Sequence, residues 1–188
     1  KSKYNLCSQL SINSENHIIS VIGTVNEQKR SIHALKTLEI LREKGINAIL
    51  VYVGKISNEN RNLIESEINK KQMKEATRII GFKDDIEDFL CGSDYIIAPA
   101  ANEGFGRVLI EAMLHLTPVI ASDHGGHKEI IRNQYNGFLF KIDDHQEMAN
   151  IIERLIKSPN LYLKVTNNAK EFASKKYSQK KHIDEILK

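Results

Sequence analysis

Short, almost wholly apolar runs recur along the chain, and between them apolar residues return every three or four positions. The runs fall at residues 18–23, 48–53, 77–81, 95–98, 118–121 and 138–140, each bounded by glycine, proline or polar residues. Apolar residues on both sides of a short run predict a strand covered on both faces. The stretches between them predict helices. Ile32, Leu35, Leu38 and Leu41 form one face up to Gly45, and Leu63, Ile64 and Ile68 stand among charges over residues 58–71. A brief helix is expected over 86–91, capped by Asp84 and Asp85, another from Arg107, and a short one around 128–132. Asp143 or Asp144 begins a helix that runs to Lys157, and helices over 161–177 and 179–187 finish the chain. Residues 1–17 are polar and aperiodic and read as a linker or incoming hinge, which leaves one domain over residues 18–188.

Strand and helix alternate at least six times along this pattern. It predicts an α/β fold, a doubly wound parallel sheet of about six strands, Rossmann-like, with helices on both faces. In such sheets ligands bind beyond the carboxyl ends of the strands, where the strand order switches. Three loops, at residues 23–30, 99–107 and 122–126, are expected to meet there.

The loop at 99–107 carries the most distinctive chemistry. Gly104 and Gly106 flank Phe105 just before the helix that begins at Arg107, so backbone can approach a ligand where unpaired amides open. Glu103 and Glu111 bracket those amides. Amides bind an anion and carboxylates accept hydrogen bonds from hydroxyls, a combination that suits a nucleotide sugar. The bland alternative is that Glu103 caps the helix and Glu111 makes a surface ion pair. For His124 and His127, three apart around Gly125 and Gly126, no third ligand lies nearby, so no metal site is read from them.

Composition narrows the function classes. With 188 residues, 41% apolar and 27% charged, the chain is an ordinary globular domain that buries roughly 70% of its unfolded surface. A net charge of +3, no Trp and no alternation of basic and aromatic residues argue against nucleic acid. No apolar run approaches the roughly 18 residues needed to span a bilayer, and the start shows no signal-peptide pattern. The absence of an initiator Met suggests a fragment or processed piece. Cys7 and Cys91 are isolated, as in a reducing cytoplasm. Lys170, Lys175, Lys176, Lys180, Lys181 and His182 form a basic tail, read as a solvated face or as a contact with anionic lipid.

The block Glu-Gly-Phe-Gly-Arg-Val-Leu-Ile-Glu-Ala-Met, residues 103–113, resembles the signature of the retaining GT-B glycosyltransferases of the large family-four group. Gly23 with Lys29, the stretch 118–131 and the closing 136–140 agree, so the resemblance covers about residues 18–188. It implies the C-terminal, donor-binding half of a two-domain enzyme whose N-terminal half holds the acceptor. By the same resemblance Glu111 binds the ribose, Glu103 faces the donor sugar, and the amides of Gly104, Phe105 and Gly106 surround sugar and phosphates. The helix start at Arg107 and Val108 receives the diphosphate, assisted by Gly23 and by Lys29 as a cation. Phe82 lies near the base, and Gly125 and Gly126 admit backbone beside the sugar. Glu103 and Lys29 are the catalytic candidates, and neither a cofactor nor a metal is expected. The chain departs from the pattern twice: Thr24 stands where many relatives carry a second cation, and Arg30 where a glycine often follows the lysine.

Two rival functions share parts of this pattern. A GT-B nucleotide-sugar epimerase would convert a labelled donor without any acceptor. A non-catalytic module of the flavodoxin-like kind would need a phospho-acceptor Asp or a flavin loop, and neither is found in the sequence.

Overall fold

The structure, a computed structural model, describes residues 2–101 and 103–177. The elements run α1 (Ser2–Leu10), β1 (His17–Ile22), α2 (His33–Glu43), β2 (Ala48–Val53), α3 (Asn58–Lys70), a 3-10 turn (Lys74–Ala76), β3 (Thr77–Gly81), α4 (Glu87–Gly92) and β4 (Tyr95–Ala98). They continue with α5 (Arg107–Leu114), β5 (Val119–Ser122), α6 (His127–Ile130), β6 (Phe138–Phe140), α7 (His145–Lys157) and α8 (Pro159–Lys176). The expected helix over 179–187 lies outside the described residues, as do Lys180, Lys181 and His182.

The six strands form one sheet in the order β3-β2-β1-β4-β5-β6, and every pair is parallel. This is the doubly wound, Rossmann-like sheet that the alternating pattern predicts. Successive strand residues turn to opposite faces and feed two cores. Tyr95, Ile97 and Ile120 join the core that includes Leu35, Leu38 and Leu41 of α2 with Ile151 and Ile152 of α7. Ile96, Val119 and Ala121 join the one that includes Leu109 and Met113 of α5 with Ala169 and Ala173 of α8. Every residue of β2 is buried, which is why it reads as an unbroken apolar run. Burying each large aliphatic side chain stabilises the fold by about 1.5–3 kcal/mol.

One segment differs from its expectation. Within the first seventeen residues, read as an aperiodic linker, Ser2–Leu10 is helical and buries Leu6, Cys7 and Leu10. Leu6 and Leu10 are four apart and make a one-sided stripe that is too narrow to stand out among Ser and Asn. Lys3 fastens the helix to the sheet, its Nζ 2.8 Å from Asp94 Oδ2, while that oxygen also accepts from the Ile18 amide at 2.7 Å. Elsewhere the boundaries move by a residue or two. Strand β5 starts after Pro118, which has no amide to donate, and α6 stops where Ile131 turns extended. Of the paired capping candidates, Asp85 accepts from the Glu87 amide and Asp144 from that of Glu147, each at 2.9 Å. Cys7 and Cys91 are both free thiols.

Candidate functional site

Strand β1 leads to α2 and on to β2 on one side of it, whereas β4, its other neighbour, leads to α5 and β5 away from it. The connections therefore diverge at the carboxyl ends of β1 and β4 and leave a crevice there. A hollow of about 220 Å³ occupies it, lined by the end of β1 through Gly23 and Thr24, by residues 96–100, and by Lys29, Glu103, Gly106, Arg107, Val108, Leu109 and His127. Gly106 immediately precedes α5 in left-handed backbone, φ +65°, which a glycine adopts without steric cost. No side chain caps α5, whereas Ser57 caps α3 and Asp144 caps α7. The first amides of α5 thus open toward the crevice with the positive end of the helix dipole behind them.

Two loops are locked together around this helix start. The Gly126 amide donates to the Glu103 carbonyl at 2.9 Å. A Cβ on Gly125 would lie 2.6 Å from that same carbonyl oxygen, and one on Gly126 would lie 2.1 Å from the carbonyl oxygen of Gly104. The glycine pair therefore lets one loop backbone rest on another. Glu103, so held, directs its carboxylate to the Lys29 ammonium across the crevice, a half-buried ion pair between residues 74 apart in sequence. Lys29 is itself set by a turn in which its amide donates to Asn26 Oδ1 at 2.8 Å.

A second hollow of about 350 Å³ adjoins the first and shares Ile22, Gly23, Thr24 and Val108 with it. Its remaining wall is Val53, Gly54, Lys55, Phe82, Lys83 and Ile86, at the ends of β2 and β3. Phe82 is 57% exposed, and the Lys55 ammonium stands 5.2 Å from its ring centroid. The two hollows make one cleft, charged at one end and partly aromatic at the other.

Most of the predicted residues converge here. Gly23, Lys29, Glu103, Gly106, Arg107 and Val108 line the first hollow, and Phe82 lines the second with Gly23 and Val108. Gly104 is exposed on the rim, and the Phe105 ring packs edge-on against Tyr177 at 5.8 Å. Gly125, exposed, and Gly126, buried, line neither hollow and instead admit the neighbouring loop. Glu111 lines neither hollow and is exposed on α5, one turn beyond Val108.

Arg30 is turned away from the cleft. It stands in left-handed backbone, φ +51°, which accounts for the glycine expected there, and its guanidinium pairs with Asp143. His127 had no predicted role at the site, yet it lines the first hollow. Its Nδ1 lies 3.1 Å from both Ser122 Oγ and the Ser122 carbonyl oxygen, while His124 is exposed. Burial pulls the His127 pKa below its ordinary value, against the Ser122 bond and the Glu103 charge. No sequence signal separates His127 from a surface histidine. Lys175 pairs with Glu171, and Lys176 stands over the Phe172 and Tyr177 rings. Among the described residues no helix is long and apolar enough to cross a membrane.

Comparison with known proteins identifies the architecture. The family model described as glycosyl transferases group 1 matches residues 5–172. A putative glycosyltransferase of Bacillus subtilis, EpsD, is 29% identical over 172 residues, which are 92% of this chain and 44% of that protein. The Escherichia coli UDP-Gal:alpha-D-GlcNAc-diphosphoundecaprenol alpha-1,3-galactosyltransferase is 21% identical over 94% of this chain and 46% of its own length. Among solved structures, HepE of Anabaena in complex with UDP and glucose superposes with a TM-score of 0.90 at 25% identity, over 99% of this chain and 51% of that one. The chain thus spans about half the length of the curated relatives it matches.

Proposed function

The chain belongs to the group 1 glycosyl transferases, and on that premise we propose that it is the donor-binding, C-terminal half of a retaining GT-B enzyme. The donor is a nucleoside diphosphate sugar, and an N-terminal domain of the same polypeptide holds the acceptor. The observation that carries this reading is the meeting of Lys29 and Glu103 at the hollow into which the uncapped start of α5 opens. A diphosphate placed against the amides of Arg107 and Val108 takes the Lys29 ammonium as its partner and releases Glu103 to face sugar hydroxyls. The aromatic hollow around Phe82 is then left for the base. Glu111 follows Val108 by one helical turn, on the same side of α5, within reach of a ribose between the hollows.

In this reading the glycosidic bond to the diphosphate breaks as positive charge grows at the anomeric carbon. Preorganised amides and Lys29 stabilise the departing anion without solvent reorganisation. The acceptor oxygen attacks from the face the diphosphate leaves, and a phosphate oxygen takes its proton, so configuration is retained. Glu103 as a covalent nucleophile is the less favoured route. The acceptor is a lipid-linked or polysaccharide hydroxyl at the inner face of the membrane, a class suggested by the acceptor named for the E. coli relative.

Thermal unfolding of this chain with UDP, GDP and ADP tests donor binding and names the base. UDP, present in the HepE complex, is the expected ligand. Saturation at a hundred times Kd should add about 2.7 kcal/mol of stability, and absence of stabilisation by all three would overturn the reading. In the complete enzyme, Glu103→Gln should lower sugar transfer about 100-fold, equivalent to ~2.7 kcal/mol, with nucleotide binding retained. Near-normal turnover would remove Glu103 from the chemistry.

A further inference from the structure

Away from the cleft, three metal-ligating side chains from opposite ends of the chain converge. His33 opens α2, His145 opens α7, and Asp143 lies two residues before His145; one ligand atom from each lies within 4.8 Å of the others. His33 Nδ1 is 2.9 Å from His145 Nε2 and 3.1 Å from Asp143 Oδ1. We propose that His33, Asp143 and His145 form a binding site for a divalent cation of the zinc class, which clamps the start of α2 to the start of α7.

Two imidazoles and one carboxylate form a borderline donor set suited to Zn²⁺ and its first-row neighbours. A tetrahedral ion about 2.0–2.1 Å from its ligands holds them roughly 3.3 Å apart. The two contacts of His33 Nδ1 therefore have to open by a few tenths of an ångström, while His145 and Asp143, with ligand atoms within 4.8 Å of each other, close onto the same ion. The two rings lie within 7° of parallel with their facing nitrogens in hydrogen-bond contact, so a modest rotation turns both lone pairs toward a common centre. The Asp143 side chain is 52% exposed and that of His33 24%, which leaves room for water to complete the coordination. Burial, together with the charges of Arg30 and Lys36, keeps His33 below its ordinary pKa. Burial and Lys36 do the same for His145. Arg30 competes for Asp143 Oδ1, so a cation displaces it or takes the other carboxylate oxygen.

A second cluster, Glu87, Cys91 and His115, serves as an internal control. Its Sγ and Nδ1 lie 3.0 Å apart, but burial and the charges of Glu87 and Asp88 push the Cys91 thiol up, which makes the required thiolate costlier.

Titrating the chain with Co²⁺ should develop visible absorption at one equivalent, and Zn²⁺ should displace it. His145→Gln and Asp143→Asn should each weaken binding at least ~10-fold, with circular dichroism confirming the fold. Arg30→Ala should tighten it, and His115→Gln should leave it unchanged. In the unaltered chain, Zn²⁺ should shift the ring resonances of His33 and His145 and leave those of His124 in place, a readout that needs no variant. Absence of absorption at millimolar Co²⁺, binding that survives both His145→Gln and Asp143→Asn, or loss on His115→Gln would each overturn the site.

Discussion

The hollow at the ends of β1 and β4 is walled by backbone that two glycines bring into contact, and two of its charges, Lys29 and Glu103, are already paired with each other. The adjoining hollow at the ends of β2 and β3 is walled by Phe82, Lys55 and Lys83, whose side chains stand exposed. The first is rigid because its geometry is part of the fold: moving Glu103 means breaking the bond from the Gly126 amide and the pair with Lys29. The second can change its exposed side chains, Phe82, Lys55 and Lys83, without disturbing the wall beneath them, where Val53 is buried and Gly54 rests against the Gly23 carbonyl. The comparison teaches a division of labour, in which the sheet's switch point sets where an anion and a sugar sit while the exposed rim selects what is attached to them. Each half can be broken without the other.

The largest effect is expected at Gly126. A methyl group there meets the Gly104 carbonyl oxygen at 2.1 Å, and neither backbone can yield without parting the two loops. Gly126→Ala should cost about 2–3 kcal/mol of stability, as overpacking of a close contact does, and should abolish nucleotide-dependent stabilisation. Denaturant unfolding with and without UDP measures both. Unchanged stability would mean that the first hollow is as pliant as the second.

Next is Lys29→Ala, which removes a charge without touching the loop contact. Losing one charge-assisted bond to phosphate should weaken UDP binding ~10-fold or more, and uridine without phosphates should bind as before. Equal losses for UDP and uridine would place Lys29 in the wall rather than at the anion.

Phe82→Ala addresses the other hollow. Phe82 is 57% exposed, so stability should change by less than about 0.5 kcal/mol. Nucleotide affinity should fall only a few-fold, alike for UDP and uridine, by loss of contact with the base. Calorimetric titration separates this signature from that of Lys29, and a loss confined to UDP would deny the assignment of the two ends.

What the sequence discloses follows the same division. The strands at 48–53, 77–81, 95–98 and 138–140 are legible to the residue: burial on both faces makes β2 an unbroken apolar run, while the edge strands β3 and β6 are short apolar stretches marked off by turn residues. The start of α5 is legible because Gly106 and the charged block around it are local. Contacts across the chain are not. Nothing in the local pattern indicates that Lys29 meets Glu103, that Arg30 is drawn off to Asp143, or that His33 reaches His145, since each pair is made by the sheet order. The contact made by Gly125 and Gly126 is only partly legible for the same reason: a glycine pair in a loop announces a close approach but not that the 103–104 backbone is what approaches. Helix α1 is missed because three buried residues among polar ones make too weak a period.

The smallest effect distinguishes the two hollows by pH. His127 lies beneath the first, buried, with its ring carbon 3.4 Å from where a Cβ on Gly106 would stand. Burial holds its folded pKa below the ordinary 6.5, outweighing the Ser122 bond and the Glu103 charge. The unfolded chain therefore takes up the proton first as pH falls, and the stability present above pH 6.5 is progressively lost below it. His17, His33 and His145 are lowered by burial as well and add slope of the same sign. The diagnostic quantity is thus the difference between variants rather than the slope itself. His127→Asn should flatten the dependence of Tm on pH between about 7.5 and 5.5, whatever it does to Tm at neutral pH, while Phe82→Ala should keep the slope of the unaltered chain. Parallel profiles for the unaltered chain and His127→Asn would mean that the ring protonates as readily folded as unfolded, and the floor of the first hollow would then be open to water like the rim of the second.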